Sequence, residues 1–362
     1  MPERAGPAPW DARLSRPGAA SCAPDWLALR EGADAVARAP ELVELLRDHL
    51  AAAARPGAPA VIRDLGCGTG SMGRWLARRL SGPQVWILHD RDPGLLAAAA
   101  ASMPGVAADG APVSVRTQEG DLTRLRSSDL SGTVLVTGSA VLDLLTAEEV
   151  DGLAAACTEA GAAALLTLSV TGRVEFSPSD PLDAAFAGAF DAHQRRRDHD
   201  RRLLGPDAVA VAVSAFARRG AVVESRPSPW HLGADRAELA EEWLRAWIAA
   251  ACAQQPDLGR RAVAYLGRRL DACHTGALRL VVGHADVLAL PWGRASSLPD
   301  PTGPALLADV PDGRRQDGQD EEGEQEPTGH GQEPPGCAPR PDGDDFHHDG
   351  ADDGTSQEAV HE

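Results

Sequence analysis

Two periods of apolar spacing alternate along the central part of the chain. Short apolar runs rich in β-branched residues are separated by segments in which apolar residues recur at helical spacing. Seven strands are predicted. The first begins at Val61, and the others are Val85–Asp90, Val113–Thr117, Thr133–Thr137, Ala163–Val170, Ala221–Glu224 and Ala277–Gly283. Strands that alternate with helices over this length predict an α/β fold, a three-layer sandwich around a mostly parallel, seven-stranded sheet.

A glycine-rich turn follows the first strand, where Gly66, Gly68 and Gly70 stand in Asp-Leu-Gly-Cys-Gly-Thr-Gly. Glycines let the backbone turn sharply and approach a ligand, and the helix predicted from Ser71 to Leu80 would direct its amide end at that ligand. Asp64 precedes the first glycine by two residues. A carboxylate there disfavours a pyrophosphate and favours a ligand that carries positive charge.

A second pattern overlaps this turn. Gly68-Thr-Gly-Ser-Met-Gly73 also has the GxGxxG spacing of dinucleotide-binding proteins, and Asp90 lies about 20 residues further on, where such proteins keep a ribose-binding acid. A nicotinamide-dinucleotide oxidoreductase is therefore an alternative interpretation.

The segment Asp64-Leu-Gly-Cys-Gly-Thr-Gly70 resembles motif I of the class I S-adenosylmethionine-dependent methyltransferases. The resemblance implies S-adenosyl-L-methionine as the cofactor, bound by Asp64, Gly66, Gly68 and Gly70. It also implies a Rossmann-like sheet with an antiparallel last strand, a helical N-terminal lid and helical insertions. A noncatalytic module that binds S-adenosylmethionine would carry the same motif and is a further alternative.

Other cofactor contacts are expected at the ends of the next strands. Asp90 would hold the ribose hydroxyls, because a carboxylate can accept two hydrogen bonds from a cis-diol. A helix cap before Pro93 is the alternative role for Asp90. The resemblance places Asp121 at the adenine amino group and Leu122 against the ring. The remaining residues assigned to the cofactor are Arg91, Thr137, Ser139 and Arg30.

Two helices, Asp25–Arg38 and Glu41–Ala54, are predicted ahead of the sheet as the lid. Arg30, Asp34 and Arg38 recur at every fourth position and so share one face of the first helix. That face is either an exposed ladder of salt bridges or a surface from which Arg30 reaches the carboxylate of the cofactor.

The acceptor site is expected beyond the fourth and fifth strands. Asp143 and His193 are the candidate catalytic bases, and a surface histidine is the alternative for His193. Arg173, Gln194 and Arg197 are the candidate substrate-binding residues. The order of a Gly-Arg, a His-Gln-Arg and a Leu-Gly-Pro element resembles a largely uncharacterised bacterial methyltransferase group over residues 25–290.

Charge divides the chain into a nearly neutral body and an acidic end. Residues 300–362 hold 18 acidic and 3 basic side chains, within a total net charge of −18. Such a composition predicts disorder, because it cannot bury enough apolar surface to offset the entropy of ordering. We therefore expect a flexible N-terminus over 1–24, a methyltransferase domain over 25–295 and a disordered acidic tail over 296–362. Within the domain, residues 25–56 form the lid, 57–170 the cofactor-binding half and 171–295 the substrate side.

Composition also limits the partners. The chain has no basic run, which argues against nucleic acid, and no apolar run long enough to span a bilayer. Its six cysteines lack paired spacing and its N-terminus lacks the apolar core of a signal peptide, so a cytoplasmic location is expected. No set of metal ligands is evident. The sequence predicts a small-molecule acceptor and a monomer or homodimer.

Overall fold

The computed structural model describes residues 23–54 and 57–291. The acidic segment 296–362 and residues 1–22 lie outside the described residues, so the predictions made for them stay predictions. The helices are α1 Pro24–Ala37, α2 Pro40–Ala53, α3 Ser71–Ala77, α4 Pro93–Ser102, α5 Ala147–Ala160, α6 Asp183–Gln194, α7 Ala208–Ala217, α8 Ala237–Gln254 and α9 Gly259–His274. The strands are β1 Ala60–Leu65, β2 Gln84–Asp90, β3 Val113–Glu119, β4 Leu135–Ser139, β5 Ala163–Ser177, β6 Arg197–Asp198, β7 Arg201–Arg202, β8 Val222–Pro227, β9 Trp230–Leu232 and β10 Arg279–Leu290.

One large sheet organises the fold, with strand order β3-β2-β1-β4-β5-β10-β8. Strands β1 to β5 pair in parallel, whereas β10 is antiparallel to both of its neighbours, β5 and β8. The short strand β9 pairs with the first half of β10 and adds an eighth strand beside the main path. The predicted mostly parallel sheet with an antiparallel last strand is thereby confirmed, and it has eight strands where seven were predicted.

Helices cover both faces of the sheet and bury separate apolar clusters. On one face, Leu46 of α2 and Trp75 of α3 pack with Trp86 of β2. On the other face, Leu153 of α5 and Phe216 of α7 pack against β4 and β5. This arrangement gives the predicted three layers, because each helix places one apolar stripe on the sheet.

A third, aromatic cluster lies on the substrate side of the fold. Phe186 of α6, Trp247 of α8 and Tyr265 of α9 are buried together, and the Phe186 and Tyr265 rings stack with centroids 4.4 Å apart. The Trp243 and Trp247 pair, four residues apart on α8, belongs to this core.

Strand β5 is about twice as long as predicted, because it continues through Thr171–Ser177 instead of ending before an insertion. Alternate residues in this extension are exposed, which is the burial pattern of a strand with one face in solvent. Strand β10 pairs along it as far as Ser177. The Gly-Arg element is therefore part of the sheet.

Asp286 of β10 fixes the junction between α1 and α2. Its Oδ2 accepts a hydrogen bond from the Ala39 amide at 2.9 Å, and its Oδ1 accepts from the Leu168 amide at 2.8 Å and the Ser228 hydroxyl at 2.6 Å. Leu168 has a left-handed φ of 56°, a conformation that is strained for a branched side chain. The buried carboxylate thus ties the N-terminal helices to the centre of the sheet.

Candidate functional site

The glycine turn after β1 has the conformation that the sequence predicts. Gly66, Gly68 and Gly70 have φ values of 59°, 55° and 87°, which side chains other than glycine rarely adopt. A Cβ atom added at Gly68 would lie 3.1 Å from Cδ1 of Leu27, so α1 covers the turn closely. The turn leads directly into α3, which ends at Ala77, three residues earlier than expected.

Asp64 lies at the end of β1 beside this turn and is completely buried. Its Oδ1 accepts a hydrogen bond from the Thr137 hydroxyl at 2.7 Å, whereas its Oδ2 has no partner among the residues that the structure describes. Burial raises the pKa of Asp64 from its ordinary 3.8 to about 6. Thr137 is thus positioned to orient the Asp64 carboxylate.

A cavity opens between the glycine turn and α1. Its lining includes Asp64, the turn residues 66–69, Arg30 and Asp34 of α1, and Ser139 at the end of β4. The carboxyl ends of parallel strands at a change of strand order are where α/β sheets bind ligands, and this cavity lies at the ends of β1 and β4. The structure therefore brings Asp64, Gly66 and Gly68 together with Arg30 and Ser139, whereas Gly70 is not part of this lining.

Asp90, at the end of β2, contacts the same turn. Its Oδ2 accepts from the Gly68 amide at 2.9 Å and its Oδ1 from the Asp92 amide at 3.1 Å. The cap of α4 is Asp92, which accepts hydrogen bonds from the amides of Gly94 and Leu95, so Asp90 is not the helix cap. Arg91 is exposed. Each Asp90 oxygen keeps a second lone pair that can accept from a hydroxyl.

The predicted adenine residues lie after β3. Asp121 accepts from the amide and hydroxyl of Thr123 at 3.0 and 2.8 Å, and so caps the short 3₁₀ helix Leu122–Arg124. Leu122 lies against the turn, since a Cβ added at Gly66 would be 3.6 Å from its Cδ2. Leu122 is therefore close to the cavity, and Asp121 is exposed beside it.

The charged face of α1 is not an exposed ladder. Asp34 and Arg38 are 4% and 1% exposed, so that interpretation is wrong for both residues. Asp34 accepts from Arg30 Nε at 3.0 Å and from the indole of Trp230 at 3.0 Å, and the Arg30 guanidinium lies 5.0 Å from the Trp230 ring centroid. The face is turned inward because Trp230 of β9 offers both a ring and an N–H donor.

Arg38 is a site residue that sequence reasoning assigned only to the ladder. Its Nη2 donates to the hydroxyls of Ser71 and Ser139 at 3.2 and 3.1 Å, and both serines line the cavity. The sequence signal was its position directly before Ala39-Pro40, where α1 ends. That position alone does not reveal that Asp286 holds the junction against the sheet.

Asp143 lies in the 3₁₀ helix Leu142–Leu144 that follows β4. Its Oδ1 is buried with no hydrogen-bond partner in the described part of the chain. Burial raises the pKa of Asp143, and the charges of Arg30 and Arg196 oppose this rise. The turn is held in place by Arg201, which donates to the Leu144 carbonyl at 2.9 Å.

His193 is 7% exposed near the end of α6, so the alternative of a surface histidine is wrong. Its carbonyl accepts from Nη1 of Arg196 at 3.1 Å, which joins this end of α6 to the residue whose charge acts on Asp143. The neighbouring Gln194 has a buried Oε1 without a partner among the described residues.

Two predicted substrate-binding residues are exposed. Arg173 lies on the extension of β5 and pairs with Glu175 at 2.7 Å, both side chains being more than half exposed. Arg197 is exposed in the small hairpin of β6 and β7. Neither lines the cavity beside Asp64.

His284 of β10 is a second residue that the sequence did not reveal, because a lone histidine in a strand carries no pattern. The ring is buried 5.0 Å from that of Trp230, and its Nδ1 has no partner within the described residues. Burial, with the charge of Arg30, lowers the pKa of His284 to about 3. The imidazole is therefore neutral at physiological pH.

None of the helices within residues 23–54 and 57–291 is long and apolar enough to cross a membrane. No group of three or more His, Cys, Asp or Glu side chains in those same ranges is arranged to hold a metal ion.

No family model matches the sequence, and no relative was found among curated proteins. Solved structures that match this chain include S-adenosylmethionine-dependent methyltransferases from Geobacter sulfurreducens and Thiobacillus denitrificans, both in complex with S-adenosyl-L-homocysteine. Each is 17% identical to this chain. The alignment with the first covers 74% of this chain and 98% of that protein, at a TM-score of 0.37. The alignment with the second covers 72% of this chain and 96% of that protein, at a TM-score of 0.35.

A third similar structure is magnesium protoporphyrin IX methyltransferase from Synechocystis PCC 6803, which is 13% identical to this chain. The alignment covers 69% of this chain and 82% of that protein, at a TM-score of 0.34. The order and direction of the strands show the fold without these comparisons. Strand β10 runs antiparallel beside the parallel strands β1 to β5, as the resemblance to class I methyltransferases implied, so the chain has that Rossmann-like fold.

Proposed function

We propose that the protein is an S-adenosylmethionine-dependent methyltransferase that transfers a methyl group to an oxygen or nitrogen atom of a small molecule. The observation that carries the proposal is the buried Asp64 carboxylate, whose Oδ2 lacks a partner among the described residues beside a glycine turn. A buried carboxylate oxygen without a donor is costly, and a ligand ammonium would satisfy it.

Two residues that contact the glycine turn beside the cavity fit the same cofactor. Asp90 stands beside Gly68 with lone pairs available for two ribose hydroxyls, and Leu122 offers an apolar contact for an adenine ring next to Gly66. A dinucleotide fits less well, since a carboxylate at the position of Asp64 would repel a pyrophosphate bound at the turn.

When bound, S-adenosylmethionine supplies a methyl group on a sulfonium that is already strongly electrophilic. The protein must then hold the acceptor atom about 3 Å from that methyl group and in line with the departing sulfur. Asp143 is suited to take a proton from a hydroxyl or ammonium acceptor, because its Oδ1 has no hydrogen-bond partner among the described residues and its raised pKa makes it a stronger base.

His193 and Gln194 at the end of α6 are proposed to orient the acceptor, since both are directed inward near the Arg196 that acts on Asp143. Arg173 and Arg197 are exposed and are proposed to contact an acidic group of a larger acceptor outside the cavity. Asp121 is proposed to accept from the adenine amino group, and Arg91 to flank the ribose site.

The function is tested by incubating the protein with S-adenosylmethionine and a library of small phenols, carboxylates and amines, and measuring the release of S-adenosyl-L-homocysteine. Acceptor-dependent release that Asp143→Asn reduces about 10²-fold or more supports the proposal. Tight binding of S-adenosyl-L-homocysteine without turnover of any acceptor would instead indicate a noncatalytic binding module.

A further inference from the structure

Arg38 is a buried cation whose hydrogen bonds are incomplete. It is 1% exposed, and its Nε and Nη1 have no partner in the part of the chain that the structure describes. Its Nη2 donates only to the hydroxyls of Ser71 and Ser139. A buried charge is normally paired with an opposite charge, because desolvation without compensation is expensive.

Two other arginines are buried among the residues that the structure describes, Arg63 and Arg269. Arg269 donates to the carboxylate of Asp183 and to the Pro178 carbonyl, and Arg63 donates through both of its Nη atoms. Each of these two leaves only its Nε without a partner in the described ranges, whereas Arg38 leaves both Nε and Nη1. The shortage of acceptors is therefore greatest at Arg38, whose serine partners line the cavity.

The carboxylates near Arg38 are engaged elsewhere. Burial lowers the pKa of Arg38, and the charges of Asp34, Asp286 and Asp64 oppose that shift. Asp34 is held by Arg30 and Trp230, Asp286 accepts from three other donors, and Asp64 accepts from Thr137. Their fields stabilise the cation, but their hydrogen bonds go to other groups.

Opposite charges therefore flank one cavity. Ser71 and Ser139, the partners of Arg38, line it together with Asp64, whose Oδ2 is an acceptor without a donor. A guanidinium with donors to spare and a carboxylate with an oxygen to spare are complementary to the carboxylate and the ammonium of an α-amino acid. Guanidinium groups also match the planar geometry of carboxylates better than lysine does.

We propose that Arg38 binds the carboxylate at the amino-acid end of S-adenosylmethionine while Asp64 binds its ammonium group. The inference rests on the proposed function and moves the carboxylate contact from Arg30, which is already paired with Asp34, to Arg38. Arg38 follows the end of α1 and reaches the cavity lining through its bonds to Ser71 and Ser139, so binding would also fix the N-terminal helix pair over the glycine turn.

The experiment combines a change in the protein with a change in the ligand. Calorimetry measures the affinities of S-adenosylmethionine and of decarboxylated S-adenosylmethionine, which keeps the ammonium and sulfonium groups. The wild type should bind the complete cofactor about 10- to 100-fold more tightly, as expected for a charge-assisted contact. Arg38→Met should bind the two ligands with similar affinity, and Arg38→Lys should show an intermediate ratio.

Arg47→Met is the matched control, because Arg47 is exposed and donates only to the Arg79 carbonyl among the described residues. It should keep the wild-type ratio. Equal affinity of the wild type for both ligands overturns the proposal without any variant. A parallel loss for both ligands in Arg38→Met overturns it too, because that is the result of a structural role. If the wild type binds neither ligand, the proposed function fails with it. If Arg38→Met does not fold, the ratio in Arg38→Lys decides.

Discussion

Asp64 is proposed to bind the cofactor, yet its buried Oδ2 has no partner among the described residues. We therefore predict that Asp64 lowers the stability of the unliganded protein. Its pKa is raised by burial from 3.8 to about 6. At 1.36 kcal/mol per pKa unit, this difference corresponds to about 3 kcal/mol. Asp64→Asn keeps the size of the side chain and an oxygen for the Thr137 hydroxyl, but it removes the charge.

The sign follows from proton binding. Because the folded pKa is raised, the folded protein holds a proton on Asp64 between pH 3.8 and about pH 6, where the unfolded chain has lost it. The folded state therefore loses stability as pH rises through this window, and the full loss remains above it. The variant lacks this dependence. The unfolding free energy of Asp64→Asn minus that of the wild type should rise by about 2 to 3 kcal/mol between about pH 4 and about pH 7.5.

Urea unfolding followed by tryptophan fluorescence measures this difference at each pH. Asp48→Asn, which neutralises an exposed aspartate of α2, is the control and should show little change. The same Asp64→Asn protein should bind S-adenosyl-L-homocysteine about 10- to 100-fold more weakly, because the ammonium loses a charged partner. A stability difference that does not change with pH, or an unchanged affinity, would refute this reasoning.

Three other substitutions test neighbouring parts of the site. Gly68→Val should abolish binding of S-adenosyl-L-homocysteine in calorimetry, because Gly68 has a φ of 55° and a Cβ added there would lie 3.1 Å from Cδ1 of Leu27. Gly152→Ala, in open space on α5, is the control and should bind normally. Asp143→Asn should lower kcat about 10²-fold or more and leave the affinity for the cofactor unchanged. The rate of the wild type should fall at acid pH, because Asp143 is then protonated. Glu148→Gln, which changes an exposed carboxylate, should keep the wild-type rate. Asp286→Ala should lower the urea-unfolding free energy by about 3 kcal/mol or more, because two buried amides and a hydroxyl lose their acceptor, and a wild-type midpoint would contradict the role of this carboxylate.

The sheet could be predicted from sequence because its strands are continuous apolar runs with helices between them. Val85–Asp90 and Ala163–Val170 were correctly placed, since a strand buried on both faces tolerates few polar residues. The extension of β5 was missed because Thr171–Ser177 alternates polar and apolar residues and contains Gly172, which suggests a loop. Only pairing with β10 shows it to be a strand.

The candidate site likewise contains residues that the sequence could indicate and residues that it could not. Asp64, the glycines and Asp90 could be proposed from sequence because a local motif and the strand ends mark them. Arg38 and His284 could not, because their role depends on contacts across the fold, such as the bonds from Arg38 to Ser139 across 101 residues. A helical spacing shows that Asp34 and Arg38 share a face but not that Trp230 of β9 covers it.

Equilibrium binding of S-adenosyl-L-homocysteine to the purified wild-type chain, with NAD⁺ measured in parallel, tests the central claim most directly. The glycine turn, the unpaired Asp64 oxygen and Asp90 predict one site per chain with a dissociation constant in the micromolar range or below, on the order of −8 kcal/mol or stronger, and no detectable competition by NAD⁺. Binding of NAD⁺ at this site, or no binding of S-adenosyl-L-homocysteine at millimolar concentration, would contradict the assignment of the cavity.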